Sequence, residues 1–195
     1  MSKIKKGYDR VTEIIRAVDP DPEFEKLMKS RPEVVENAGK RGTILHLIAD
    51  QILRGKPISK GHFARAIEID PKCAEWIKTF SQFANDHQEL VVAESALRMY
   101  RDKEKITGEL DFIIENDFEE IFIADLKTSA KIPKSIKAQL GAYYWLHGNV
   151  NLNLCCIHAP MGKKPLTIPY KTKDCVDAWK KILDKHKKLK GRTHA

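Results

Sequence analysis

The spacing of the hydrophobic residues changes at about residue 89, and this change limits the folds that the chain can adopt. Up to residue 88, apolar residues recur at the spacing of amphipathic helices. From residue 89 onwards, alternating apolar residues appear, which is the pattern of half-buried strands. The sequence therefore predicts a single domain of 195 residues, with a helical part over about 1–88 and an α/β core over about 89–195.

Four helices are expected in the helical part, from apolar stripes separated by stretches that contain Pro or Gly. They cover 9–18, 41–53, 60–69 and 71–87. Three strands then follow at 90–100, 105–115 and 120–126, and their short polar turns are typical of an antiparallel meander. The remaining pattern predicts a helix at 134–147, strands at 151–159 and 165–170, and a helix at 172–189. This order indicates an α/β fold with one central mixed sheet flanked by helices.

The composition excludes several classes of protein. Hydrophobic residues make up 42% of the chain, which is enough for a core. No apolar run approaches 18 residues, so we expect no membrane-spanning helix. No apolar stretch follows the basic N-terminus, so we expect no signal peptide and a cytoplasmic protein of a bacterial or phage-infected cell. The four cysteines form no CxxC pair and are expected to be buried free thiols.

The chain is basic, with 35 Lys and Arg against 27 Asp and Glu and a net charge of +8. Such a charge either serves solubility alone or attracts a polyanion, most often nucleic acid. Two groups of lysines stand out: Lys127, Lys131, Lys134 and Lys137 in mid-chain, and Lys180, Lys181, Lys185, Lys187, Lys188 and Lys190 near the C-terminus. The second group is typical of a solvated helix face.

Two aspartates interrupt the apolar pattern of neighbouring predicted strands. Asp111 lies on the second strand, and Asp125 and Lys127 point to one face of the third. A turn between these strands can bring the two carboxylates side by side, where a divalent cation such as Mg²⁺ or Mn²⁺ would offset their repulsion. Two carboxylates and a lysine around one metal suit phosphodiester hydrolysis. An ordinary Asp–Lys ion pair at a sheet edge is the alternative.

The same segments resemble a known family. Gly108-Glu109-Leu110-Asp111 followed by Ile123-Ala124-Asp125-Leu126-Lys127-Thr128-Ser129 resembles the core of the PD-(D/E)XK nuclease superfamily, in particular its RecB-like exonuclease branch. Arg41-Gly42-Thr43-Ile44-Leu45-His46 and Gln139-Leu140-Gly141-Ala142-Tyr143-Tyr144 resemble further motifs of that branch. Residues 10–15 are similar to the opening of the mitochondrial genome maintenance exonuclease group. The resemblance implies a restriction-endonuclease-like core.

The resemblance also implies a set of metal ligands. They are Asp111, Asp125, His46 and the backbone carbonyl of Leu126. Glu94 lies where many relatives carry an acidic residue on the first strand, and is either a further ligand or a solvent-facing charge. A lone His on an apolar helix face, such as His46, is alternatively a core histidine.

Further roles follow from the same resemblance. Lys127 corresponds to the catalytic lysine, and Gln139 and Tyr143 lie four residues apart on a helix face turned towards the metal or the DNA. The residues expected to contact DNA are Arg41, Thr128, Ser129, Lys131, Lys134 and Lys137. Some RecB-like relatives hold an iron–sulfur cluster, but the cysteine spacing here does not fit one, so none is expected.

These observations predict a Mg²⁺- or Mn²⁺-dependent DNA exonuclease. It would act on single-stranded or free-ended DNA in replication, repair or recombination, together with the proteins of those processes. A nucleic-acid-binding module of the same fold that does not cleave, and a structure- or sequence-specific endonuclease, are the alternatives. The sequence leaves open the polarity of cleavage, the choice between DNA and RNA, and the oligomeric state.

Overall fold

The structure is a computed structural model that describes residues 5–192, with the side chains of residues 5–191. Its N-terminal half contains β1 (Asp9–Arg10), α1 (Val11–Val18), α2 (Pro22–Ser30), α3 (Pro32–Leu53), α4 (Lys60–Ile69) and α5 (Cys73–Asp86). Its C-terminal half contains β2 (Val91–Arg101), β3 (Ile106–Glu115), β4 (Ile121–Lys127), α6 (Ile136–His147), β5 (Asn153–His158), β6 (Leu166–Tyr170) and α7 (Thr172–Arg192).

The strands form one mixed sheet. β2, β3 and β4 pair as an antiparallel meander, β5 joins β4 in parallel, and β6 joins β5 antiparallel. The short β1 pairs in parallel with the beginning of β3. The α/β fold with a central mixed sheet flanked by helices, predicted from the spacing of apolar residues, is confirmed.

Helices cover both faces of the sheet. On one face α1, α6 and α7 pack over a core that contains Ile123 and Trp179. On the other face α3, α4 and α5 pack over a core that contains Phe80 and Leu126. At Gly141 the backbones of α6 and α7 touch, because an added Cβ would lie only 2.0 Å from the carbonyl oxygen of Cys175.

The helical part differs from its prediction in three places. α2 was not predicted, and α3 begins at Pro32 instead of at residue 41. The helix expected from residue 9 begins at Val11, because Asp9 and Arg10 pair with β3. Helix α2 has no buried residue, although Phe24, Leu27 and Met28 recur at helical spacing along it. Its start is set locally, because the Asp21 carboxylate accepts hydrogen bonds from the first-turn N–H groups of Glu23 and Phe24.

Two further expectations concern the cysteines and the membrane. Cys73, Cys155, Cys156 and Cys175 are all buried free thiols, as predicted. Among the described residues, no helix combines the length and the apolar character needed to cross a membrane.

Candidate functional site at the separation of β3 and β4

One edge of β3 is left without a strand partner for a short distance. β2 pairs with every residue of β3 except Asp111. On the opposite edge, β1 pairs with Ile106 and Thr107, and β4 pairs only from Phe112 onwards. Between these two partners lie residues 108–111, which form the Gly-Glu-Leu-Asp motif. The last pair of the β3–β4 ladder is Phe112 with Ala124. The next pair would join Asp111 to Asp125, and the two strands separate there instead.

Asp111 fills the space between the separating strands. Its Oδ2 accepts a hydrogen bond of 2.8 Å from the backbone N–H of Leu126, in place of the lost ladder bond. Its Oδ1 lies 3.2 Å from Nδ1 of His46, which α3 brings in from the other layer. The N–H and C=O of a strand residue point to the same side, so the carbonyl of Leu126 also faces this space.

Asp125 is the more deeply buried carboxylate, with only 1% of its surface exposed. Its Oδ1 accepts a hydrogen bond of 2.9 Å from Nε2 of Gln139. The same Nε2 also donates to the hydroxyl oxygen of Tyr143, over 2.9 Å. Its Oδ2 lies 2.6 Å from Nζ of Lys127. The ammonium group of Lys127 is thus the charged partner of Oδ2, and this oxygen accepts no other hydrogen bond from the described residues.

The charges of the site depend on one another. Burial raises the pKa of Asp125 to about 6, with Lys127 opposing the rise and Asp111 adding to it. Burial also acts to raise the pKa of Asp111, but His46 and Lys127 hold it below its usual value. Burial disfavours the charged forms of His46 and Lys127, yet the nearby carboxylates outweigh it and raise the pKa of both groups.

The neutral members of the site are Gln139 and Tyr143 on α6. Burial is the main reason why the pKa of Tyr143 lies well above its ordinary value, and the charges of Asp125 and Asp111 add to it. The phenol therefore stays protonated near neutral pH. Because Gln139 and Tyr143 lie four residues apart on one helix face, α6 presents both groups to Asp125. The structure thus brings together Asp111, Asp125, Lys127, His46, Gln139 and Tyr143.

Glu94 is not part of this set of contacts. It pairs with Ile113 in the β2–β3 ladder, but its side chain is exposed. A bulge between Val92 and Glu94 shifts the register of β2 there. Two residues further on, Ala96 has a φ of 50°, a strained conformation for a residue with a Cβ. No local pattern in the sequence indicates this irregularity opposite Asp111.

The residues expected to contact DNA are arranged unevenly. Lys131 and Lys134 are exposed beside the site, whereas Arg41 is tied to Asp70 by an ion pair of 2.8 Å. Lys137 lies 3.5 Å from Asp174 on α7. Ser129 is exposed and its hydroxyl donates to the carbonyl of Lys131 over 2.7 Å.

Thr128 lies beneath α3, at the end of the separated strand. A Cβ added at Gly42 of α3 would be 4.0 Å from its hydroxyl oxygen. Gly42 is one turn before His46, so the same face of α3 that supplies the histidine also lies over the residues that follow Lys127.

Arg54 is a supporting residue that the sequence argument missed. Its guanidinium lies 2.7 Å from Asp50 on α3, and it donates to the carbonyl of Val92 and to the hydroxyl of Ser95 on β2. These bonds fasten the end of α3 to the bulged strand, two turns after His46. Asp50 and Arg54 have the four-residue spacing of a helical ion pair, but nothing in that spacing identifies the strand partners.

Comparisons with known proteins add little to this geometry. No protein-family model matches this chain, and no curated protein matches it. Among solved structures, the chain is similar to the crystal structure of SSO0001, with 18% sequence identity and a TM-score of 0.44. That likeness covers 94% of this chain and 78% of the other. At this distance it says nothing about activity, so function has to be argued from the site itself.

Proposed function

We propose that this chain is a divalent-metal-dependent nuclease that hydrolyses phosphodiester bonds in DNA. The observation that carries the proposal is the grouping of Asp111, Asp125 and Lys127 where β3 and β4 separate. Burial and the neighbouring Asp111 both disfavour the charged form of Asp125, so additional positive charge at this site would stabilise its carboxylate. Mg²⁺ or Mn²⁺ is suited to that role because both prefer carboxylate oxygens.

The ligand atoms available at this site are of the kinds that bind divalent metal ions. Asp111, Asp125 and the Leu126 carbonyl offer oxygen atoms, and His46 offers an imidazole nitrogen. As they stand, however, no three His, Cys, Asp or Glu side chains in the described part of the chain are grouped closely enough to hold an ion. Lys127 lies against Asp125 instead, so binding of a cation at Oδ2 requires its ammonium group to move away.

A divalent cation held there would neutralise the carboxylates and polarise the phosphate. The chain's own residues would do the rest. Lys127 is held in its charged form by the two carboxylates, so its ammonium can contact a phosphate oxygen and stabilise negative charge that builds up during hydrolysis. Gln139 fixes the orientation of Asp125, and His46 fixes that of Asp111.

The proposed substrate is single-stranded or free-ended DNA, cleaved by an exonuclease in replication, repair or recombination. The exposed Lys131 and Lys134 support a polyanionic substrate, because they place positive charge directly after the site. The sequence resemblance to RecB-like exonucleases supports the choice of DNA ends over internal positions.

A second candidate function is a nucleic-acid-binding module that does not cleave. The close contact between Lys127 and Asp125 favours it, because the two groups already neutralise each other without a metal. Cleavage and binding therefore have to be measured separately.

A cleavage assay tests the proposal. We expect Mg²⁺- or Mn²⁺-dependent loss of end-labelled linear DNA, no loss in EDTA, and no cutting of a closed circle. Asp125→Asn and Lys127→Gln should each reduce the rate by about 100-fold or more, the scale seen when a group that stabilises the transition state is removed. The exposed Asp117 and Lys163 provide matched controls, as Asp117→Asn and Lys163→Gln. Cutting of the circle would show an endonuclease, and salt-sensitive binding without cutting would favour the binding module.

A further inference from the structure

A cavity lies at the beginning of β3, away from the candidate site. The turn between β2 and β3 and the second half of α7 enclose a volume of about 280 Å³. Ile106 and Leu183 supply its apolar wall, and its polar lining consists of Lys103, Glu104, His186, Lys187 and Lys190. The C-terminal lysines, which the sequence presented as a solvated helix face, thus contribute to a concave and basic surface.

Two carboxylates lie at this cavity. Asp9 lies 3.1 Å from Nε2 of His186, and it also contacts the ammonium group of Lys190. Glu104 lines the cavity with its Oε2 3.7 Å from Nε of Arg101 on β2, and that buried oxygen accepts no hydrogen bond from residues 5–191. These two carboxylates offset part of the charge of the three lysines in the wall.

Lys103 and Lys187 leave the cavity with excess positive charge. Among the described residues, no carboxylate forms an ion pair with either of them. Both side chains are exposed, so their ammonium groups can turn towards a ligand. Nearby lysines of α7 add to the positive potential, namely Lys180, Lys181, Lys185 and Lys188.

The chemistry of the wall indicates the class of ligand. Lysine ammonium groups bind phosphate oxygens as point charges and do not read base edges. We propose that the cavity is a second anion site that holds a backbone phosphate of a nucleic acid. This inference rests on the proposed function, since it extends the same substrate away from the candidate site.

The length of β3 sets a minimum for the distance between the two sites. Ile106, in the cavity wall, and Asp111 are five residues apart on one strand, which corresponds to about 16 Å. The path over the surface is longer, because α6 packs against Gly108 between the two sites. A nucleic acid therefore needs several nucleotides to occupy both sites.

Binding measured in EDTA tests the inference without cleavage. The probe is a fluorescein-labelled single-stranded DNA of twelve nucleotides, compared with one of four. The double variant Lys103→Gln/Lys187→Gln should lose most of the affinity gained on lengthening the probe. The slope of log affinity against log salt should become shallower by about 1.4, which is the loss of two phosphate contacts on a single strand.

A matched pair of lysines on the other layer controls for net charge. Lys56 and Lys78 are exposed, and the variant Lys56→Gln/Lys78→Gln should keep the wild-type slope. In the opposite direction, Asp9→Asn should tighten binding of the longer DNA, because it removes the carboxylate next to His186 and Lys190. Circular dichroism melts establish that each variant is folded.

The outcomes separate this inference from the proposed function. If the double variant binds the longer DNA like its control, the second anion site is wrong, whether or not the protein cleaves. If the double variant loses binding as predicted and the wild type cuts nothing, the anion site stands and the nuclease proposal fails. If inorganic pyrophosphate raises the melting temperature through Lys103 and Lys187 while DNA binding is unchanged in the double variant, the cavity holds free phosphates and the inference is overturned.

Discussion

At the scale of single residues, the candidate site depends on how close α6 can approach β3. Gly108 lies against α6, where an added Cβ would be 2.8 Å from Cδ1 of Leu146 and 3.0 Å from Cε1 of Tyr143. The absence of a side chain at Gly108 therefore sets the position of Tyr143. Through Gln139, the same helix orients the buried carboxylate of Asp125.

The first prediction concerns this close approach. Gly108→Ala should lower the free energy of unfolding by about 1–3 kcal/mol, because the added methyl overpacks the contact with Tyr143 and Leu146. Gly39 is the control, since it lies in α3 with nothing within 4 Å of an added Cβ. Gly39→Ala should be neutral or stabilise the protein by up to about 1 kcal/mol. Urea denaturation of the three proteins measures both effects, and equal stability of the two variants would contradict the account.

At the scale of secondary-structure elements, the site exists because three elements meet at a separated strand pair. β4 leaves β3 at Asp111, α3 covers the opening with His46, and α6 closes it with Gln139. Arg54 links the end of α3 to β2 through two hydrogen bonds. Its bonds fix the helix that carries His46.

The second prediction concerns that link. Arg54→Ala should lower the free energy of unfolding by about 2 kcal/mol, because it removes charged hydrogen bonds in a partly buried position. Arg65→Ala is the matched control, because its ion pair with Glu68 is exposed, and it should cost less than about 1 kcal/mol. Denaturant titrations compare the two variants. A loss no larger than that of the control would mean that Arg54 does not fasten α3 to β2.

The third prediction is a pH dependence at the junction of β1 and α7. Burial acts to raise the pKa of Asp9, but Lys190 and His186 outweigh it and hold that pKa below its ordinary value. A carboxyl with a lowered pKa stabilises the folded state above the unfolded pKa of about 3.9, and loses this effect as the pH falls through its folded pKa. The stability difference between wild type and Asp9→Asn should thus be larger at pH 7 than at pH 3. Urea titrations at both pH values measure it, and a difference that does not shrink at low pH would show that Asp9 is not held by these cations.

At the scale of the whole molecule, the sequence predicted more of the sheet than of the N-terminal helices. The strands and α6 could be located because their apolar residues alternate or recur along buried faces. α2 and the first turns of α3 were not predicted. Their side chains lie largely in solvent, and the apolar stripe of α2 is limited to Phe24, Leu27 and Met28, none of which is buried.

The residues of the candidate site also divide into those that the sequence predicts and those that it does not. The motif spacing predicted that Asp111, Asp125 and Lys127 come together, and they do. The resemblance alone pointed to His46, since nothing in its local pattern indicates that α3 crosses the opening. The φ of Ala96 and the contacts of Arg54 depend on tertiary packing, and no local pattern in the sequence specifies them. Glu94, predicted from its place on the first strand, is exposed and does not contact the other site residues.

The central claim is that Asp111 and Asp125 together hold a divalent cation, and Mn²⁺ binding tests it most directly. Titration of Mn²⁺ into the protein, followed by the electron paramagnetic resonance signal of the free ion, should show binding to the wild type. Asp111→Asn and Asp125→Asn should each remove it, while Asp117→Asn in the exposed turn should bind like the wild type. Binding that persists unchanged in Asp125→Asn, or no binding to the wild type, would contradict the account.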